Sequence, residues 1–509
     1  MIASGKVSHR RLLAVVFGVL AIGLACTCNY LTLTTPQIST TVTPQDSPTV
    51  APQKSPTLAP QSPTLVPRSP TFAPQKSPTP VTQTVQGLNP TGPWLLISAT
   101  DGLWAANPDG SNLVQLTQDE FWQGSPAGAV QPGGNQVVLL TSSRDWYHHL
   151  ALNLLSLQDG RIQKITDLTI SQTEPGPGAA PGDTSIEAVR AIADEESYAW
   201  SPDGTKLAFI GVLDGPTADL YLYDIATKKI TRVSQDDAQD YWPSWSPDGK
   251  YILFFGAETF GTGAGYLMKG VWSANADGSN VTLLYKPSSS GEELVGWRDD
   301  QTAVLDSWKP ICGPEELRLY NIVTAQKTVL QAGCSSAAAT GKWGDANSSA
   351  VMFSKDDGLY LLPADGAVPQ KLSGDQVASI RWDQAGYMFV VKYNDGSLTT
   401  FWASDGRQEA APSTAQDVTM FGIIWAWTNN TGELPGVWIS GPGIDLGQIF
   451  NGPAYAPIWN FDDNTLFFFS GSGDGTDLYR ATFDNYYNDT ASVAHLTGEV
   501  QGVTWVGIK

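Results

Sequence analysis

Two stretches of this chain are near copies of one another, and no other feature narrows the fold so far. Tyr198-Ala-Trp-Ser-Pro-Asp-Gly-Thr-Lys-Leu-Ala-Phe209 recurs as Pro243-Ser-Trp-Ser-Pro-Asp-Gly-Lys-Tyr-Ile-Leu-Phe254. A second pair falls later in the same unit: Asn107-Pro-Asp-Gly-Ser-Asn112 and Asn275-Ala-Asp-Gly-Ser-Asn280. Asp-Gly dipeptides flanked by apolar, aromatic runs mark tight turns between strands. The unit therefore reads as a strand ending in Trp, a Ser-Pro-Asp-Gly turn and an alternating strand. A third strand follows (Asp219-Leu-Tyr-Leu-Tyr-Asp224), then a polar turn and a fourth strand (Lys229-Ile-Thr-Arg-Val-Ser234). Four hairpin-linked strands repeated every forty to fifty residues make one blade of a β-propeller. Composition agrees. The chain has 50 Gly, 18 Trp, 17 Tyr and 17 Phe, and only 16% charged residues, which suits pleated strands and tight turns rather than long helices.

The aromatic residue followed by Ser-Pro-Asp-Gly resembles the TolB-type family of WD40-like propeller repeats. The match is specific at Trp200 and Trp245 and fades at Trp297, Trp343, Trp382 and Trp459. The resemblance implies a fold far more than an activity, because such folds host many functions. The expectation is an all-β chain with a single propeller over residues 92–509, of about eight four-stranded blades, with seven to nine possible. The stretch 413–452 is irregular and reads as a partial blade. Residues 94–117 supply second, third and fourth strands without a first, and Gly502–Val506 looks like a first strand with nothing after it. Pairing the two ends closes the ring and hides the edges an open sheet would leave.

The first 28 residues are of another kind. Lys6, Arg10 and Arg11 precede an apolar run from Leu12 to Ala25 that ends at Cys26. A basic segment, a short apolar core and small residues make an export signal. Ile22-Gly23-Leu24-Ala25-Cys26 looks like a bacterial lipobox, which implies lipidation at Cys26, although Gly23 departs from the usual Leu. An uncleaved anchor and ordinary release are the alternatives. Residues 29–91 hold five Ser-Pro-Thr units, beginning at Ser47, Ser55, Ser62, Ser69 and Ser77. Proline at this density removes backbone donors and favours an extended, semi-rigid stalk of about 3.1 Å per residue.

The formal net charge is -21. Such a surface repels phosphate backbones, which argues against nucleic acid as a partner. The chemistry expected of an enzyme is thin. His148 and His149 are adjacent and would point to opposite faces of a strand, a poor metal site. There is no Gly-x-Ser-x-Gly elbow. Ser354-Lys-Asp-Asp-Gly358 loosely resembles the Asp-box turn of sialidases, but arginine is scarce in the domain. No catalytic residue, cofactor or metal is expected.

What remains is one face. In a propeller the loops from fourth to next first strand share an end of the ring with those from second to third. Here they are aromatic and acidic: Phe121, Trp122, Trp146, Tyr147, Asp236, Asp237, Asp240, Tyr241, Trp242 and Trp308. Exposed Trp and Tyr anchor protein interfaces and stack on sugar rings. The competing reading packs many of them between blades, Tyr241 and Trp242 above all. A long Gly-, Pro- and Glu-rich loop over 171–197 would cap the same face. Cys312 and Cys334 fall in one blade, and an oxidising compartment favours a disulfide between them. The functional expectation is a monomeric, membrane-tethered, extracytoplasmic binding or scaffolding protein that takes a protein or envelope glycan. The alternative is a propeller glycoside hydrolase or lyase using channel carboxylates.

Overall fold

The structure is a computed structural model. It describes residues 87–508 except 90–91, 100–101, 118–125, 142–149, 170–183, 195, 215–216, 236, 260–265, 288–290, 310–312, 333–336, 343–346, 367, 384–386, 422–423, 432–433, 442–443, 461–464, 472–476, 484–490 and 497–502. The signal segment, Cys26, the stalk, Cys312 and Cys334 lie outside the described residues.

Nine antiparallel blades form a ring, at the top of the expected range. Eight are four-stranded sheets, and the sheet over 136–167 has three strands with an isolated Val130–Val137 bridge in the remaining position. Counted along the chain, blade 3 spans 198–232, blade 4 spans 239–285, blade 5 spans 291–332 and blade 6 spans 338–373. Blades 7, 8 and 9 span 377–410, 417–451 and 455–495. Blade 1 draws on both ends of the domain: Leu95 pairs with Ile508 and Ile97 with Val506, so Val503–Ile508 becomes its first strand. The irregular stretch is a complete blade 8, with strands Asp417–Phe421, Ile424–Asn429, Gly436–Gly441 and Ile444–Asn451.

The repeated motifs form the same bonds at each occurrence. At Ser201-Pro-Asp-Gly204 the Ser201 hydroxyl donates to Asp203 Oδ1 at 2.6 Å, and Asp203 Oδ1 accepts the Thr205 N–H at 3.0 Å. The Ser201 oxygen in turn accepts the Lys206 N–H at 2.9 Å. Ser246, Asp248, Lys250 and Tyr251 repeat this set. Gly204 and Gly249 take φ of 69° and 70°, which a side chain resists. In the later turn Ser111 and Ser279 each donate hydroxyl and N–H to Asp109 and Asp277, while Asn107 and Asn275 each bond the serine hydroxyl at 3.0 Å.

The tryptophan before the turn links neighbouring blades. Trp200 Nε1 donates to Ala129 O of the preceding blade at 2.9 Å, Trp245 Nε1 to Ala199 O at 3.0 Å, and Trp297 Nε1 to Ser244 Oγ at 3.1 Å. In blade 7 the Trp382 ring lies where a Cβ on Gly341 of blade 6 would sit, so Gly341 leaves room for the stack.

Second strands depart from the expected alternation. Thr465–Ser470 is buried at every position, and Val351 and Phe353 pack toward blade 5 while Ala350 and Met352 pack toward blade 7. A strand covered on both faces needs apolar residues on both. The apolar clusters consequently run seam by seam around the ring.

Candidate ligand-binding face

Several connections at one end of the ring are far longer than the tight turns at the other. At one end, Trp200 to Lys206 and Trp245 to Tyr251 are bridged by the tight Ser-Pro-Asp-Gly turns. At the other, the sequence runs from Thr141 to Ala151, from Thr259 to Tyr266 and from Asp167 to Tyr198 before the next strand begins. The last of these was expected to be loop throughout, yet it contains the helix Thr184–Ile192. Ala188, Ala191 and Ile192 are buried against the main core cluster. The sequence signal was present, since Ala188, Ala191 and Ile192 recur at helical spacing after a threonine suited to starting a helix.

Of the residues expected on this face, Phe121, Trp122, Trp146, Tyr147 and Asp236 lie outside the described residues. Asp237 is exposed. Trp308 has its backbone in the strand Thr302–Lys309, opposite Gly291, and its side chain lies outside the described set. Asp240 and Tyr241 are inside, at 0% and 1% exposure. Gln239–Trp245 is the first strand of blade 4, and its upper end is stitched to blade 3. The Asp240 carboxylate accepts the Leu220 N–H at 3.0 Å and the Ser234 hydroxyl, and Gln239 Oε1 accepts the Ala218 N–H at 2.7 Å. Trp242 is half-buried, with its ring against Tyr241 and edge-on to Phe255 at 5.8 Å. Its φ of 54° is in the left-handed region, rare for a bulky residue, and coincides with a bulge between Tyr241 and Ser244. Blade 9 repeats this device: Ala456, also before a proline, has φ of 46° beside a bulge between Tyr455 and Ile458.

Beneath the loops of blade 3 the buried Asp219 pairs with Arg232 at 2.6 Å, and Arg232 reaches Asp214 at 3.1 Å. The Tyr221 hydroxyl donates to Asp214, and burial together with that carboxylate raises the phenol well above its ordinary range.

A second network, absent from the sequence reading, joins blades 4 and 5. The Tyr285 hydroxyl donates to Glu292 Oε1 at 2.9 Å, and Arg318 pairs with Glu292 while lying 5.0 Å from the Tyr285 ring centroid. Glu316 bonds Arg318 at 3.2 Å and Lys327 at 2.6 Å. Burial pushes the Glu292 carboxyl up to about 7 against the pull of Arg318. Burial lowers the Arg318 guanidinium, and Glu292 and Tyr285 reverse this so that it ends above its ordinary value. Only chain spacing separates these residues in sequence, so a network of this kind left no motif. Glu292 and Arg318 are sealed from solvent at 2% and 5% exposure, a placement suited to locking loop bases rather than meeting a substrate. No group of three or more metal-ligating side chains occurs among the described residues.

No family model matches the chain. An uncharacterised protein of Agrobacterium fabrum is 30% identical over 107 residues, covering 19% of this chain and 34% of that protein. The Tol-Pal system protein TolB of Alcanivorax borkumensis is 36% identical over 56 residues, covering 11% of this chain and 13% of that protein. The chain thus spans about a third and about an eighth of these two curated relatives. Among solved structures, TolB from Acinetobacter baumannii matches with a TM-score of 0.32 at 14% identity, over 64% of this chain and 65% of that one. An oligogalacturonate lyase in complex with manganese matches with a TM-score of 0.42 at 13% identity, over 77% and 96%. The sheet order makes the architecture a propeller, as the repeated motif implied, and a stretch of 56 residues is similar to TolB.

Proposed function

We propose that this protein is an extracytoplasmic, membrane-tethered binding or scaffolding module. Its partner is a protein or glycan of the cell envelope, taken by the loops at the long-connection end of the ring. One observation carries this reading: the connections after Thr141, Asp167 and Thr259 far outrun the tight Ser-Pro-Asp-Gly turns of the opposite end, and blades 3, 4 and 5 are tied across their boundaries by buried bonds from Gln239, Asp240 and Tyr285. Binding residues are commonly carried on loops held by a rigid scaffold. Trp122, Trp146 and Tyr147 are the proposed aromatic anchors, with Asp236 and Asp237 as the acidic rim. Asp240 and Tyr241 act underneath, as support. The TolB-like relatives agree with a role in the envelope.

The test immobilises the purified chain and exposes it to an envelope extract, then repeats the capture with Trp122→Ala and Trp146→Ala. A specific protein or glycan retained by the wild type and released by either variant supports the reading. Equal retention by all three sinks it. A glycan that emerges shortened moves the case to an enzyme. The tether is tested separately. Cys26→Ser should move the protein from the membrane fraction to the soluble exported fraction and abolish incorporation of labelled palmitate, whereas an uncleaved anchor would leave it in the membrane.

A further inference from the structure

The turn Asn107-Pro-Asp-Gly-Ser-Asn112 of blade 1 and its copy Asn275-Ala-Asp-Gly-Ser-Asn280 in blade 4 build the same loop, down to φ of 55° at Asn112 and 54° at Asn280. In blade 1 that loop also grips the chain that leads into the ring. Gly87 O accepts Asn112 Nδ2 at 2.9 Å and Asn107 Nδ2 at 3.2 Å, and the Asn89 N–H donates to Asn107 Oδ1 at 2.9 Å. The Trp94 indole N–H folds the segment back on itself, donating to Asn89 O at 2.6 Å. Leu88 and Trp94 are 8% and 3% exposed. They join the apolar cluster that holds Leu96 and Leu103 of blade 1 and Val138 and Leu152 of blade 2. Gly87 is fitted to the grip: its φ is 102°, and a Cβ on it would lie 2.7 Å from Asn112 Cγ. The blade 4 copy holds no such segment among the described residues; Asn275 keeps its amide on Ser279, and Asn280 is exposed.

The place of this grip decides what it can do. Leu95–Ala99 is the second strand of blade 1, and second strands begin at the tight-turn end, as those starting at Lys206 and Tyr251 do. The chain before Gly87 therefore joins the ring at the end opposite the long connections. Leu95 is also the last residue of the pairing that closes the ring, opposite Ile508. Tension arriving at Leu95 from the N-terminal side would load that end pair and open the ladder one pair at a time. The bonds at Gly87 and Asn89 come before Leu95 along the chain. They take such a load first and pass it to a turn that is covalently continuous with the third and fourth strands of blade 1.

We propose that Gly87, Leu88, Asn89 and Trp94 form a tension clasp. The turn over 107–112 and the core between blades 1 and 2 bear pull from the N-terminal segment and keep it off the strand pairing that closes the ring. The clasp rests on the membrane tether of the preceding reading, because an untethered chain meets no such pull.

The experiment holds the full chain at constant tension in optical tweezers, between its N-terminus and a click-reactive residue at Val323, which is 51% exposed on blade 5. A first extension step of no more than about 28 Å is expected before any strand opens, the extended reach of residues 87–94. Asn112→Gly keeps the backbone freedom the turn needs and removes the amide, and Gly87→Ala drives a methyl against that amide. Each should shorten the dwell before the step about three- to five-fold, the worth of one net hydrogen bond. Asn280→Gly, the matching change in blade 4, should leave the dwell unchanged. Loading from Val323 to the C-terminus bypasses the clasp, and there Asn112→Gly should match the wild type. The absence of a short first step, dwells untouched by both clasp variants, or equal shortening by Asn280→Gly would overturn the proposal. The tether is judged separately by fractionation of Cys26→Ser, so either reading can fail alone.

Discussion

Single side chains carry much of the order here through one or two bonds each. Ser201, Asp203 and Gly204 were legible in the sequence because their turn depends on local chemistry: a hydroxyl, a carboxylate and a left-handed backbone within four residues. Asp203 has a lowered pKa, chiefly from the Ser201 hydroxyl, and Asp109 and Asp277 are lowered chiefly by Ser111 and Ser279. A carboxyl depressed in the folded state contributes stability that is complete above the ordinary value of 3.8 and is lost as pH falls through the folded value. Thermal midpoints should therefore drop steeply below about pH 4, and a triple Asp→Asn variant at 109, 203 and 277 should show a shallower acid limb. An unchanged acid limb would show that these turns do not drive acid unfolding. Glu292 and Arg318 were illegible because they stand on non-adjacent strands of blade 5, and their third partner, Tyr285, lies on blade 4. Glu292→Gln or Arg318→Met alone leaves a buried group without its counterpart and should cost about 3–5 kcal/mol by denaturant titration. The double variant should recover most of that loss, because both charges are then gone together.

Strands and turns show where local pattern stops and packing begins. Gly204 and Gly249 occupy the same place in two copies of one motif, with the same φ, yet their surroundings differ. A Cβ at Gly204 would lie 2.2 Å from Pro132 O of the preceding blade, whereas at Gly249 the nearest atom is Pro202 Cδ at 3.4 Å. Gly249→Ala should cost about 1–2 kcal/mol, the backbone strain alone. Gly204→Ala should cost clearly more, because the backbone it strikes must shift, and equal midpoints for the two would contradict the seam geometry. Blade 8 was hard to read for a related reason. Its strands are bulged between Val437 and Trp438 and between Ile439 and Gly441, which breaks the period of two. Trp425 and Trp427 sit in its second strand rather than at the end of its first, so the marker that flagged other blades is displaced. The proposed aromatic face was legible only as composition. Whether Tyr241 points out or in depends on the bulge at Trp242, and the structure turns it in.

At the scale of the ring, closure was legible from the ends because a missing first strand at one terminus matched a spare one at the other. The blade number was less so, since it required counting blade 8 as whole. In a closed ring each blade is covered on both faces, and blade 1 is held together by backbone pairing between residues more than four hundred positions apart. Deleting 503–509 would strip Leu95–Ala99 of that partner and expose it as a free inner edge. It would also weaken the seam where Leu95, Ile97 and Trp104 pack on Phe467, Phe469 and Leu478 of blade 9. The truncated chain should lose the single cooperative thermal transition, unfold at lower temperature and self-associate through the open edge, as gel filtration would show. Adding the missing segment in trans as a peptide should restore the midpoint in part, because the rest of the ring supplies its pairing register. A truncated chain that melts as sharply and as high as the full one would mean the ring is held by its seams alone, with strand pairing at the closure contributing little.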